Sequence, residues 1–292
     1  MEEMTTGLCP KCGHTLQIPA ELERFSCMYC GERLTKRQLL TQPEEASCSE
    51  EDCAVSFDHA VSRLGWCVQN FRGYQKKILR DAFFEAFETY ETGCAPVIQE
   101  LNSGVRPERQ TELLDRAAEA MLGELSAGWE KKNDMEDEKV ILAIFFVPMV
   151  RKLQLPVSEE FVSLLQKKWV ERYPKSPFYL GDYESISGGF RKKFLGLCFI
   201  TTAVCQELGK PDDCAELTAF RAFRDGYLAA QPDGEALIRE YYNIAPGIVT
   251  CINTCSDRHA SYERIREQYL TPCYEDLLAG RNADCKTRYV QM

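Results

Sequence analysis

Basic residues are in the minority in this sequence. Its 35 lysines and arginines stand against 45 aspartates and glutamates, which gives a formal net charge of −10 and a pI near 5.1. Broad binding to nucleic acid or to anionic lipid needs a basic protein face. The composition therefore argues against nucleic acid and membrane surfaces as general partners.

Long apolar runs are also missing. The longest run, Val140–Val150, has eleven residues and contains Pro148, whereas a membrane-spanning helix needs about 18 or more apolar residues. The first residues, MEEMTTGLCPKCG, show neither the basic nor the apolar region of a secretory signal. We therefore expect a cytoplasmic protein without a membrane span, whose thiols are reduced or bound to metal.

Histidine is scarce, with three residues in the whole chain. The long region 54–189 contains only His59 and has no glycine-rich phosphate loop. Its apolar residues instead follow helical spacing, as in the series Phe161, Leu165 and Trp169, which places all three on one helix face. The pattern predicts a helical bundle region without visible chemistry.

Two segments interrupt the helical pattern. Residues 41–53 carry five acidic residues and no basic one, which predicts a solvated linker between domains. Residues 174–191 contain two prolines and three glycines, and these residues favour a loop or a short hairpin.

Cysteine, by contrast, is abundant, with 15 residues. Four of them form two C-x-x-C-G segments, and fourteen residues separate Cys12 from Cys27. Two residues between paired thiols let both sulfurs face one point, and the glycine permits the tight turn that follows. Two such turns place four thiolates around a tetrahedral Zn²⁺. We predict one structural zinc ion per chain, bound by Cys9, Cys12, Cys27 and Cys30.

The surrounding residues 1–40 resemble a zinc ribbon of the double-knuckle kind. The segment between the cysteine pairs suits two short strands, with Leu16, Ile18 and Phe25 as a minimal core. About 40 residues cannot hold a fold by apolar burial alone, so the metal must contribute the folding free energy. The competing interpretation is two unrelated cysteine pairs, or a redox-active C-x-x-C.

The purpose of the ribbon is a separate question. Its basic and aromatic side chains suit contacts with a nucleic acid backbone and with bases. Five acidic residues in the same 40 cancel that charge, so we favour a ribbon that is structural or contacts protein. The basic and aromatic residues concerned are Arg24, Arg33, Lys36, Arg37, Phe25 and Tyr29.

The C-terminal region carries three motifs in order: CFITTA at 198–203, LTAFRAFRD at 217–225 and YYNIAP at 241–246. In these motifs residues 190–292 resemble the CFI-box C-terminal domain family. That family has Ala-Tyr-Gly after its first motif, where this chain has Val204-Cys205. The resemblance implies a shared C-terminal module, found behind varied N-terminal regions, and no particular activity.

The cysteines of this region allow three interpretations. Cys198 is either a small buried residue packed against Phe220 and Tyr241, or a nucleophile or redox centre. In the second case a nearby arginine favours its thiolate, and the candidate catalytic residues are Cys198, Arg224 and Asp225. The third interpretation is a second metal site, although the cysteines form no paired turns. Its ligands would come from Cys198, Cys205, Cys214, Cys273 and Cys285.

Together these patterns predict a mostly α protein with short β-hairpins at its N-terminus. The predicted parts are a zinc ribbon at 1–40, an acidic linker at 41–53, a helical bundle at 54–189 and a CFI-box-like helical module at 190–292. We expect the protein to act by binding other proteins, as an adaptor with a structural zinc site. The alternative is a cysteine-dependent enzyme or redox protein that uses Cys198.

Overall fold

The computed structural model describes most of the chain. The described residues are 4–10, 14–19, 21–39, 50–131, 133–191, 198–254 and 257–292. The chain divides into two compact units, Met1–Ala54 and Val55–Met292. Two small antiparallel hairpins come first and helices follow, which confirms the predicted mostly α fold class.

The first unit is built from two hairpins. The strands are β1 (Met4–Leu8), β2 (Thr15–Pro19), β3 (Arg24–Ser26) and β4 (Arg33–Thr35). β1 pairs with β2 and β3 pairs with β4, both antiparallel. Alternation along β2 turns Leu16 and Ile18 inward, and Leu34 of β4 is buried with Leu16 in one cluster. The predicted core residue Phe25 is half-buried against this cluster.

Helices form most of the remaining described chain. They are α1 (Glu50–Leu64), α2 (Trp66–Gln69), α3 (Phe83–Gly104), α4 (Gln110–Ala127), α5 (Asp134–Ile141), α6 (Val147–Lys152), α7 (Ser158–Arg172), α8 (Tyr183–Arg191), α9 (Phe199–Glu207), α10 (Ala215–Ala222), α11 (Gly234–Asn253), α12 (Arg258–Ile265), α13 (Thr271–Leu278) and α14 (Asn282–Gln291). Within the described residues, no helix is both long and apolar enough to cross a membrane.

Three helices continue into single π-helical turns. Leu142–Phe146 links α5 to α6, Phe223–Leu228 follows α10, and Arg266–Leu270 links α12 to α13. A π turn adds a residue to one helical turn and therefore rotates the side chains that follow it. The turn after α10 contains Arg224, a residue of the candidate site described below.

Two predicted non-helical segments differ from the structure. Helix α1 begins at Glu50, inside the predicted linker, and its first turn is acidic, as suits a helix N-terminus. Residues 41–49 lie outside the described part of the chain. The loop predicted over 174–191 is wrong for its second half, which forms α8. The Asp182 carboxylate accepts hydrogen bonds from the backbone N–H and the hydroxyl of Ser185, and so caps that helix.

The second unit contains two hydrophobic clusters. The larger one includes Phe161, Leu165 and Trp169, which are fully buried on α7, as their spacing predicts. The large aromatic side chains buried with them are Phe83, Phe87, Tyr90, Phe145, Phe146, Phe178 and Phe190. The smaller cluster lies C-terminal to these in sequence and begins with Cys198. Both predicted regions, 54–189 and 190–292, fall largely in one compact unit, and Phe190 and Cys251 of the second region pack in or against the larger cluster.

Helix α11 lies directly against the backbone of residues 78–81. The Asn243 carbonyl accepts a hydrogen bond from Arg80 N–H at 3.0 Å, and the Asn243 side chain exchanges two more with Asp81, at 3.1 Å each. One turn further on, a Cβ atom placed on Gly247 would lie 1.9 Å from the carbonyl oxygen of Ile78. Only glycine permits this separation of the two backbones.

Candidate metal centre and C-terminal thiol site

The two hairpins of the first unit position its cysteines in the same way. Cys9 directly follows β1 and Cys27 directly follows β3. The Cys9 N–H donates to the His14 carbonyl at 3.0 Å, and the Cys27 N–H donates to the Glu32 carbonyl at 2.8 Å. Each bond draws the chain back toward its own cysteine, so that the thiols lie at the ends of the hairpins.

The second cysteine turn is closed by its glycine. The Gly31 N–H donates to the Cys27 carbonyl at 2.8 Å, and Gly31 has a φ of 73°. That left-handed conformation is open to glycine without a steric cost. The turn places Cys30 beside Cys27, as the C-x-x-C-G pattern predicts.

The sulfurs of Cys9, Cys27 and Cys30 all lie within 4.8 Å of one another. The Sγ atoms of Cys9 and Cys30 are 3.8 Å apart. Two thiolates on one tetrahedral zinc ion, each at about 2.3 Å, lie about 3.8 Å apart. These three residues are therefore close enough to hold one metal ion. The predicted fourth ligand, Cys12, lies outside the described residues.

The turn between Cys27 and Cys30 also carries apolar surface. The Met28 side chain is 77% exposed and the Tyr29 side chain 57% exposed. The Tyr29 ring stacks on the His14 imidazole, with ring centroids 4.3 Å apart. The turn therefore exposes two large apolar side chains that are neighbours in sequence.

In the second unit, Cys198 is fully buried at the N-cap position of α9. Burial raises the pKa of its thiol, against the opposing effect of the Arg224 and Arg221 guanidinium groups. The thiol form is therefore favoured at neutral pH. Phe220 is buried in the same cluster, as predicted for a core residue. Tyr241 lies nearby, where its hydroxyl accepts a hydrogen bond from the N–H of Ile200 at 3.0 Å.

Arg224 connects this thiol to a carboxylate. Its side chain is 4% exposed, and one of its terminal nitrogens lies 3.5 Å from Cys198 Sγ. Two other N–H groups donate to the two carboxylate oxygens of Asp225, at 2.6 and 2.8 Å. This bidentate pair supplies the partner that a buried arginine needs. It also lowers the pKa of Asp225. The three residues predicted as catalytic candidates thus form one contact series.

An apolar cavity of about 230 Å³ adjoins this series. Arg224 and Tyr241 line part of its wall, and the rest is mainly aliphatic. Cys198 is not among the residues that line it. The described residues therefore show a thiol enclosed beside a cavity, not one that opens into it.

His259, the one histidine of the C-terminal region, lies at the start of α12. Its side chain is 70% exposed, and its Nδ1 lies 3.4 Å from a carboxylate oxygen of Glu207. Glu207 also pairs with Arg258 at 3.1 Å. The imidazole thus lies at the surface beside the Glu207–Arg258 ion pair.

The chain has no match among protein-family models, curated proteins or solved structures. The resemblance of residues 190–292 to the CFI-box family stays a prediction.

The cysteines considered for a second metal site do not gather at one point in the described part of the chain. They separate instead into Cys198 beside Arg224, a Cys205–Cys214 pair and a Cys273–Cys285 pair. A third pair, Cys67 and Cys94, is hydrogen-bonded inside the larger cluster. Motif spacing does not indicate these pairs, since their members lie 9, 12 and 27 residues apart.

Proposed function

We propose that this protein is an adaptor whose N-terminal ribbon is held by structural zinc and binds other proteins. The proposal is carried by the three converging thiols of Cys9, Cys27 and Cys30. Cys12 completes the set by its sequence spacing. Four thiolates suit zinc and leave no open coordination position, which favours a structural over a catalytic metal.

The exposed turn of the ribbon supports a protein partner. Met28 and Tyr29 lie between two of the metal-binding residues, where a bound ion would hold the turn rigid. A rigid, exposed pair of large apolar side chains can be buried by a partner at a small cost in conformational entropy. Residues 190–292, as a CFI-box-like helical module, add a second surface for assembly. The many thiols suit a reducing compartment, so the proposal includes a cytoplasmic location.

A cysteine-dependent enzyme at Cys198 receives less support. A nucleophilic cysteine acts as its thiolate and needs contact with substrate. Cys198 is fully buried, and burial raises its thiol pKa. The Arg224–Asp225 pair beside it is explained by the need to neutralise a buried guanidinium.

Zinc content tests the first half of the proposal. Elemental analysis of the purified protein is expected to find one zinc ion per chain, and X-ray absorption to find sulfur ligands at about 2.3 Å. Cys12→Ser removes the ligand inferred from spacing alone. We expect it to weaken zinc binding by more than about 100-fold, beyond the loss seen when only outer-shell partners change.

Cys214→Ser, a similar change in the second unit, is the matched control and should keep the full zinc content. Two ions per chain would show a second metal site. An unchanged affinity in Cys12→Ser would remove Cys12 from the ligand set.

Partner binding tests the second half of the proposal. Met28→Glu places a charge on the exposed turn without touching a ligand. Losing the burial of one methionine side chain costs about 1.5–3 kcal/mol, so affinity for a partner should fall about 10- to 100-fold. The wild-type protein and the Met28→Glu variant each serve as bait in quantitative affinity capture. The purified partner is then titrated against both.

Leu278→Glu is the control for adding a charge at an exposed apolar position, since Leu278 is 70% exposed on α13. It should leave ribbon partners bound. Equal capture by the wild-type and Met28→Glu baits, at equal zinc content, would show that the turn is not a contact surface.

A further inference from the structure

The thiols of Cys205 and Cys214 lie in van der Waals contact, with their Sγ atoms 3.7 Å apart. Cys205 is near the end of α9, and Cys214 is the N-cap residue of α10. The chain reverses between them through Gly209, whose φ is 68°. A disulfide needs a sulfur separation of about 2.05 Å. The two atoms must therefore approach by about 1.7 Å, a change on the scale of side-chain rotation.

This pair differs from the other two thiol pairs in its access to solvent. Cys214 is half-buried, and Cys205 lines a pocket of about 130 Å³ together with Lys210 and Glu216. By contrast, each cysteine of the Cys67–Cys94 and Cys273–Cys285 pairs is 0% exposed. A small reagent can therefore reach the first pair in the folded protein.

We propose that Cys205 and Cys214 are a reversible redox-active dithiol, whose reaction partner is a low-molecular-weight disulfide. The Cys214 thiol loses its proton, and its sulfur attacks one sulfur of the reagent. The reagent S–S bond breaks, and one half leaves as a thiolate. Cys205 then loses its proton and attacks the Cys214 sulfur, which displaces the second half. Two protein thiols are oxidised to one disulfide, and one reagent disulfide is reduced to two thiols.

The order of the two steps follows from the surroundings of each thiol. Burial and the hydrogen bond with Cys214 raise the pKa of Cys205 to about 12, so Cys205 is protonated at neutral pH and reacts slowly with reagents from solution. The contact with Cys214 offsets this low reactivity of Cys205 in the second step, because that step is intramolecular and proceeds at a high effective concentration. Cys214, the more exposed thiol, is the first to meet the reagent.

Oxidation would tie the end of α9 to the start of α10. The segment between the two cysteines carries Lys210, which pairs with Glu216 of α10. A disulfide at this point would fix the segment and the pocket wall in one arrangement. The inference does not depend on the zinc proposal, since all of its residues lie in the second unit.

The test uses the full-length, zinc-loaded protein in buffers of reduced and oxidised glutathione. After an acid quench, thiols are alkylated and cysteines are identified by mass spectrometry of tryptic peptides. Trypsin leaves Cys198, Cys205 and Cys214 on one peptide, since Lys210 is followed by Pro211. After oxidation, Cys205 and Cys214 should both escape alkylation. Apart from the alkyl groups, the peptide should be lighter by two hydrogens than its reduced form. Dithiothreitol should reverse the change.

The two fully buried pairs, Cys67–Cys94 and Cys273–Cys285, are internal controls. Cys273 and Cys285 should oxidise at least about tenfold more slowly, because they become accessible only when the structure opens. Cys205→Ser should stop the reaction at a glutathione adduct on Cys214, and Cys214→Ser should leave Cys205 reduced. Equal rates for all pairs would overturn the proposal. So would an adduct that persists on Cys214 in the wild-type protein, since Cys205 would then not act as the second thiol.

Discussion

Replacing Cys27 with serine is expected to unfold the ribbon and to leave the helical unit folded. The described hairpins bury only a few apolar side chains, chiefly Leu16, Ile18 and Leu34. Structural zinc contributes about 10–16 kcal/mol of apparent binding free energy in comparably small zinc-finger peptides. Cys27 is 2% exposed, so the serine would also bury a hydroxyl in place of a thiolate ligand. Under the zinc proposal, the ribbon should therefore lose its fold together with its metal.

Hydrogen exchange measured by mass spectrometry separates the two units. In Cys27→Ser, backbone amides of residues 4–39 should lose protection completely, while those of 55–292 keep it and the thermal transition of the helices is unchanged. Met28→Ser, one residue further along the same turn, is the control, since Met28 is exposed and is not one of the proposed ligands. A loss of protection in α3 or α7 would show that the helical unit depends on the ribbon.

A methyl group added at Gly247 is expected to destabilise the helical unit by about 3 kcal/mol or more, at the upper end for overpacked positions. The added Cβ would lie 1.9 Å from the Ile78 carbonyl oxygen and 3.1 Å from its carbon. Because both partners are backbone, no side-chain rotation relieves the contact. Helix α11 would have to move away from residues 78–81, where Asn243 bonds to Arg80 and Asp81. Urea denaturation followed by circular dichroism measures the change.

Gly188→Ala is the matched control, since Gly188 also lies inside a helix but has no atom within 4 Å of an added Cβ. Alanine should stabilise α8 there by about 0.5–1 kcal/mol through its higher helix propensity. The two glycine-to-alanine changes should thus have opposite signs. A Gly247→Ala midpoint equal to that of the wild type would mean that α11 does not approach Ile78 so closely.

The sequence predicted those features that depend on local spacing. The series Phe161, Leu165 and Trp169 identifies a helix face because α-helical geometry repeats every 3.6 residues. The C-x-x-C-G pattern of Cys27 and Cys30 likewise predicts the turn that brings two thiols together, because a tight turn is set by its own few residues. Each prediction uses one short stretch of chain.

Features that depend on distant contacts were missed. The glycines and prolines of 174–191 favour a loop, whereas the second half of the segment forms a helix that buries Ile186 and Phe190. The Asp182 cap of this helix is local, but the burial of its apolar side chains depends on distant elements. The pairing of Cys205 with Cys214 depends on how two helices meet, which spacing does not fix. The need for glycine at 247 arises from residue 78, far away in sequence.

The close approach of α11 to residues 78–81 limits how far the C-terminal region can be transplanted. A fragment that begins at residue 190 would lack residues 78–81, against which α11 packs. Water would then replace the partners of the three hydrogen bonds that Asn243 makes with Arg80 and Asp81. We infer that any protein into which residues 190–292 were transplanted would have to supply its own contact for this helix.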